Sequence, residues 1–151
     1  MKLRNHKIAR TTVLLVLATV LSNFSFAQCK KVVEEGVKKL SPYSFNGQTN
    51  TLTIKGSKPA QLSLPFYKGY TYKLQITPEA DYAAKVSFRV LDANKNELFN
   101  STANSNSESW SFYSNSTQEL VIEVTSTEKA KQCVAVLVGV QIPKKNSMRD
   151  L

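Results

Sequence analysis

The chain holds one histidine, His6, which lies ahead of an apolar run near the N-terminus; residues 28–151 contain none. That stretch therefore has no imidazole for Ser-His-Asp or Cys-His catalysis, for general acid–base work at neutral pH, or for a His-containing metal site. Ser126-Thr127-Glu128-Lys129 spells the S-x-x-K of Ser-Lys acylating enzymes, but no S-D-N or K-T-G accompanies it, and a solvated turn is expected. Asp92-x-Asn94-x-Asn96 opens like a calcium loop. Its sixth position is Glu97 where glycine is needed and its twelfth is Ala103 where glutamate is needed, so it is expected to be a hairpin turn. Glu34 and Glu35 fall on a helix surface and the other acids are scattered, which leaves no carboxylate pair facing one cleft. The expectation is no catalytic residue, no cofactor and no metal.

Aromatic side chains are the other chemistry on offer. Tyr67, Tyr82, Trp110 and Tyr113, with Tyr70 near them, are candidates for a sugar-stacking or contact surface. Alternation assigns Tyr70 and Trp110 to core-like positions. Cys29 and Cys133 are the two cysteines, with no C-x-x-C, and in an oxidising compartment they are expected to pair.

Export supplies that compartment. Lys2, Arg4, Lys7 and Arg10 precede the uncharged stretch Thr11–Leu21, and Ser25-Phe26-Ala27 offers small residues at the −3 and −1 positions of a cleavage site. The apolar stretch is shorter than the roughly 20 residues of a spanning helix. Residues 1–27 are thus predicted to be a signal peptide, leaving no stable membrane span after cleavage. Gln28 stands where a lipid-anchored cysteine would need a small neighbour, so Cys29 is not expected to carry lipid. Four of the +9 formal charges sit in that leader, leaving +5 (9 − 4) spread over the remainder. This is a solubility charge, without the clustered Lys and Arg of a nucleic-acid footprint.

Residues 28–143 are the length of one domain, followed by a basic tail, 144–151. Cys29, Val32, Val33, Gly36, Val37 and Leu40 fall at helical spacing, with Glu34–Lys38 and Glu35–Lys39 as i,i+4 pairs, so a helix over 29–40 is predicted, stopped by Pro42. Beyond it, apolar residues alternate in runs around Leu52–Ile54, Leu62–Phe66, Tyr70–Ile76, Val86–Val90, Leu98–Phe99, Trp110–Phe112, Leu120–Val124 and Cys133–Ile142. Seven or eight short strands of this kind predict a mainly β protein, an antiparallel, jelly-roll-like β-sandwich with the helix packed on it. Asn100–Ser109 is expected to be a mobile polar loop, and Asn100-Ser-Thr and Asn115-Ser-Thr match the glycosylation pattern only through loop composition. In the last strand Val134, Val136, Val138, Val140 and Ile142 should enter the core. Cys133, Ala135, Leu137 and Gly139 should receive the helix, with Gly36 opposite Ala135 or Gly139.

Leu62–Ile76, the Val-Leu-Asp-Ala-Asn-Lys-Asn-Glu-Leu hairpin at 90–98 and the closing Cys-Val-Ala-Val-Leu-Val strand resemble small exported bacterial jelly-roll proteins related to prepeptidase C-terminal (PPC-like) sandwiches. The N-terminal helix and the lack of an Asp-rich strand depart from that pattern. The resemblance implies a non-catalytic accessory or binding domain. The sequence therefore points to an exported protein, periplasmic or extracellular, with a protein partner in the cell envelope. A carbohydrate-binding module for cell-wall or environmental glycans is the alternative, and nucleic acid is not expected.

Overall fold

The structure, a computed structural model, describes residues 24–141. Most of the predicted leader (1–23), Ile142 at the expected end of the last strand, residue 143 and the basic tail 144–151 lie outside the described residues. A helix α1 (Phe24–Lys39) leads into eight strands: β1 (Ser44–Ile54), β2 (Ala60–Phe66), β3 (Thr71–Pro78), β4 (Val86–Leu91), β5 (Glu97–Asn100), β6 (Ser109–Tyr113), β7 (Gln118–Ser126) and β8 (Gln132–Gln141). The first sheet has the order β1-β8-β3-β6 and the second β2-β7-β4-β5. Every neighbouring pair is antiparallel. Pairs β1/β8, β2/β7, β3/β6 and β4/β5 are the nested rungs of one long hairpin rolled into two facing sheets. This is the jelly-roll order.

Period two places the core. Ile54, Leu64, Phe66, Leu74, Ile76, Val90, Leu120, Ile122, Val124, Val134 and Val136 are fully or almost fully buried between the sheets. Phe88, Phe99, Trp110, Phe112, Phe66 and Tyr72 form a continuous run of ring contacts through this layer, with centroids 4.2–5.4 Å apart.

β8 is apolar on both faces because both are covered. Its even residues enter the sandwich, and Ala135 and Leu137 pack outward against Val32, Val33, Val37 and Leu40. The partners of the two glycines differ from expectation. A Cβ at Gly36 would lie 2.7 Å from Leu137 Cδ1 and 2.8 Å from Thr77 Oγ1, so Gly36 rests over Leu137 and β3. Gly139 instead lies beneath Tyr43, whose Cβ would be 2.7 Å from an added Cβ, and beneath Leu40. The Cys29–Cys133 disulfide closes the arrangement across a sequence separation of 104. At the other helix end the Lys73 ammonium donates to the Lys39 carbonyl at 2.6 Å, satisfying an orphan acceptor of the last turn.

Four local expectations are corrected. α1 starts at Phe24, five residues before the predicted Cys29, since no proline or glycine interrupts 24–28. The predicted i,i+4 pairs give way to others: Glu34 sits 4.0 Å from Lys30, and Lys39 reaches Glu108 at 2.6 Å because the helix end lies beside the approach to β6. β1 begins at Ser44, well before the alternating Leu52–Ile54, because the polar Asn46-Gly47-Gln48 forms a bulge that hides the period. Asn100–Ser109 is a bonded turn, not a free loop. Ser101 is buried and its hydroxyl accepts the Phe88 N–H, while Asn100 Oδ1 accepts from Thr102 and the Asn100 carbonyl from Asn104 Nδ2.

Candidate functional site

The jelly-roll connections decide where this molecule is open. At one end β1 turns directly into β2 through residues 55–59, so the two sheets are stitched along that edge. At the other end the chain crosses from β2, an edge strand of the second sheet, to β3, the third strand of the first. This four-residue arch, Tyr67-Lys68-Gly69-Tyr70, passes over the positions of β1 and β8 without covering them. A groove of about 490 Å³ lies there, lined by Asn46 and Gln48 of β1, Val138 and Val140 of β8, Leu64 and Pro65 of β2, Tyr72 of β3, and Tyr67 and Tyr70 of the arch. Its floor is sandwich core and its rim is aromatic.

The rim is held by backbone bonds. The Tyr67 N–H donates to the Tyr72 hydroxyl (3.1 Å), the Lys68 N–H to Thr117 Oγ1 (3.2 Å) and the Gly69 N–H to the Ser114 carbonyl (2.8 Å). The Tyr70 carbonyl accepts the Ser114 N–H at 2.9 Å, and Ser114 is itself fully buried. Three consecutive backbone donors of the arch are thus engaged, which holds the main chain that carries the two exposed rings. Tyr67 is 57% exposed and Tyr70 40%.

Tyr70 was expected in the core and is not there. β3 begins at Thr71, so Tyr70 belongs to the arch and its ring leans over the groove, 6.2 Å from that of Tyr72. Of the four candidate aromatics, only Tyr67 lines this site. Tyr113 is 56% exposed on the outer face of β6, opposite Thr71. Tyr82 is half-buried in a short 3-10 helix, Ala80–Lys85, beyond the far end of β3. Trp110 is half-buried, its ring stacked between Phe99 and Phe112. Sequence reasoning missed Asn46 and Gln48, and it weighed Tyr70 but assigned it to the core. The available signal was the pair of tyrosines flanking Lys68-Gly69, a turn placed between two strands of different sheets.

Elsewhere, the polar motifs singled out in the sequence are engaged locally. Asp92 Oδ1 accepts the Asn94 and Asn96 N–H groups (both 2.8 Å) and Oδ2 accepts from Asn96 Nδ2. These bonds, the Asn96 side chain first, hold the Asp92 carboxyl below its usual range, and the loop is a β4–β5 turn. Ser126 Oγ, the serine of S-x-x-K, accepts the Glu128 N–H and Gln132 Nε2, closing the β7–β8 turn. On the outer face of the second sheet, Glu123 is held by Arg89 and Gln61 within a shallow polar depression. Among the described residues no three His, Cys, Asp or Glu converge to hold a metal ion, and no helix is long and apolar enough to cross a membrane.

No family model matches the chain, and no curated protein matches it. Solved structures similar to it include PliG of Aeromonas hydrophila, a periplasmic inhibitor of g-type lysozyme, at 12% identity and TM-score 0.48, covering 62% of this chain and 85% of that one. The Yersinia pseudotuberculosis-derived mitogen YPM is similar at 11% identity and TM-score 0.44, covering 66% and 90%. A de novo designed double-stranded β-helix is similar at 12% identity and TM-score 0.32, covering 62% and 99%. The fold assignment rests on the strand order itself.

Proposed function

We propose that this is an exported, non-catalytic protein of the bacterial cell envelope, cut after Ala27, which works by holding a partner protein in the groove beneath the Tyr67–Tyr70 arch. The observation that carries this reading is the groove's composition: apolar core residues form its floor, two exposed tyrosines on a backbone-bonded arch its rim, and none of its nine lining residues is charged. Such a surface carries no carboxylate, imidazole, thiol or amine to act as general base or nucleophile, and it suits an interface centre. Export is supported by the basic-apolar-small order of residues 1–27 and by the Cys29–Cys133 bridge, which suits an oxidising compartment. The PPC-like resemblance points the same way, to an accessory domain.

The test is site-specific photo-cross-linking in cells. A photoreactive residue at position 67 should give a discrete protein adduct in the exported fraction, and the same residue at Asn94, in the β4–β5 turn, should give none. A glycan adduct, or no adduct from position 67, would contradict the reading.

A further inference from the structure

We propose that Asn46-Gly47 is a site of spontaneous deamidation, which turns Asn46 into aspartate or isoaspartate and sets a carboxylate on the wall of the open-end groove. This chemistry does not depend on what the groove holds. The Gly47 backbone nitrogen attacks the Asn46 side-chain carbonyl carbon, Cγ, and gives up its proton; the Cγ–Nδ2 bond breaks and ammonia leaves. Water then opens the resulting succinimide at either carbonyl, giving aspartate from one opening and isoaspartate from the other. No oxidant, metal or cofactor enters.

The sequence supplies the pair once. Of the five glycines only Gly47 follows an asparagine, and glycine has no Cβ beside its nitrogen to hinder the approach. The fold then leaves the pair free to react. β1 breaks its register with β8 between Phe45 and Thr49, so no β8 residue pairs with Asn46, Gly47 or Gln48, and all three are exposed. Gly47 stands at φ +83°, with nothing within 4 Å of the place a Cβ would take.

A hydrogen bond favours the attack. The Gln48 N–H donates to Asn46 Oδ1 at 3.0 Å. That oxygen gains negative charge as the Gly47 nitrogen adds to Cγ, so a donor already stands where the charge develops. At other asparagines the nitrogen that would attack is engaged. The Lys95 N–H after Asn94 donates to the Asp92 carbonyl, the Ser101 N–H after Asn100 to the Phe88 carbonyl, and the Ser107 N–H after Asn106 to the Asn104 carbonyl. Ser101 is buried as well.

The product alters the groove. Asn46 is one of its nine lining residues, none of which is charged, so conversion makes a neutral wall anionic. Isoaspartate also inserts an extra methylene into the main chain, at a bulge that has no ladder pairing to lose.

The experiment holds the exported chain in warm, mildly alkaline buffer and maps tryptic digests by mass spectrometry over time. Peptide 40–55 should gain the mass of amide-to-acid exchange at Asn46, in two chromatographic forms, one of them a substrate for isoaspartyl methyltransferase. Asn46→Gln should remove both forms and leave the rest of the map unchanged. Because an Asn-Gly pair also reacts in an unfolded chain, the deciding comparison is between the native protein and the reduced chain in urea. Folding should slow Asn100 and Asn106 at least about tenfold and leave Asn46 within about threefold of its unfolded rate. If Asn46 keeps its amide in the native protein, or if folding slows it as much as Asn100, the inference fails.

Discussion

The outward side chains of β8 in the first sheet are Cys133, Ala135 and Leu137, whereas those of β7 in the second are Glu119, Val121, Glu123 and Thr125. The same alternation builds both faces, yet one lies under a helix and the other meets water. The helix settles where outward residues are small or apolar and where Gly36 and Gly139 allow close approach. It then buries even the polar Gln75 and Thr77 of β3, which answer each other through Gln75 Nε2. On the second sheet, Glu123 is shielded by its own neighbours, Arg89 and Gln61, and Ser87 and Thr125 share a hydroxyl bond of 2.9 Å. One face is closed by packing and a covalent tie; the other has Glu123, Ser87 and Thr125 paired with neighbours and Glu119 in water. Among the described residues, exposed apolar area also gathers at the groove of the open end, beneath Tyr67 and Tyr70.

Breaking the tie should have the largest effect. A closed loop of this length contributes up to about 4–5 kcal/mol in the chain-entropy model, and native-state relaxation lowers that figure. Dithiothreitol, or Cys29→Ala with Cys133→Ala, should therefore lower the melting temperature while the β signal in circular dichroism persists. The helical signal should be lost first, because α1, 16 residues long and shortened further by a cut after Ala27, is marginal on its own in water. An unchanged melting temperature would mean that packing alone holds the helix.

A substitution pair sharpens the contrast between the faces. Leu137→Ala should cost about 3 kcal/mol in denaturant unfolding, as a fully buried leucine does, while Val121→Ala at the matching outward position of β7 should cost less than about 1 kcal/mol. Equal costs would show that the second face is as tightly packed as the first.

Arg89→Ala should cost about 1 kcal/mol, well short of a buried pair's value, because the guanidinium is half-exposed and Gln61 still bonds Glu123.

The smallest effect is a pH dependence. The Lys85 side chain and the Lys129 and Ala130 backbone hold the Glu128 carboxyl below its ordinary range, and Glu128 raises the Lys85 ammonium above its own. The carboxyl's contribution is present above the ordinary carboxylate range and is lost as pH falls through the lowered value. The lysine's is present below the ordinary lysine range and is lost as pH rises through the raised value. The stability gap between the parent and Lys85→Met should accordingly be flat around neutrality and shrink at both extremes. A gap that widens in acid would refute the pairing.

The elements with unbroken alternation were legible in the sequence. β8 showed both of its covered faces, the helix stripe pointed to the face it covers, and the cysteines named their own bridge. The groove was not legible, because it depends on which strands a connection skips, and that is a property of sheet order. Tyr70 illustrates the limit: its spacing fits the period of β3, but Tyr70 belongs to the arch bonded to Ser114, and β3 starts one residue later, at Thr71. Trp110 likewise fits a core period but sits on edge strand β6, so its burial is partial.

The central claim, that this protein contacts its partner through the open-end groove and not through either sheet face, is tested most directly by affinity. With the protein recovered by cross-linking at position 67 as the binding partner, Val140→Lys should weaken binding about 100-fold, as removal of an interface hot spot does, while Arg89→Ala should change it less than about threefold. Retained affinity in a folded Val140→Lys variant, or a larger loss from Arg89→Ala, would contradict the account.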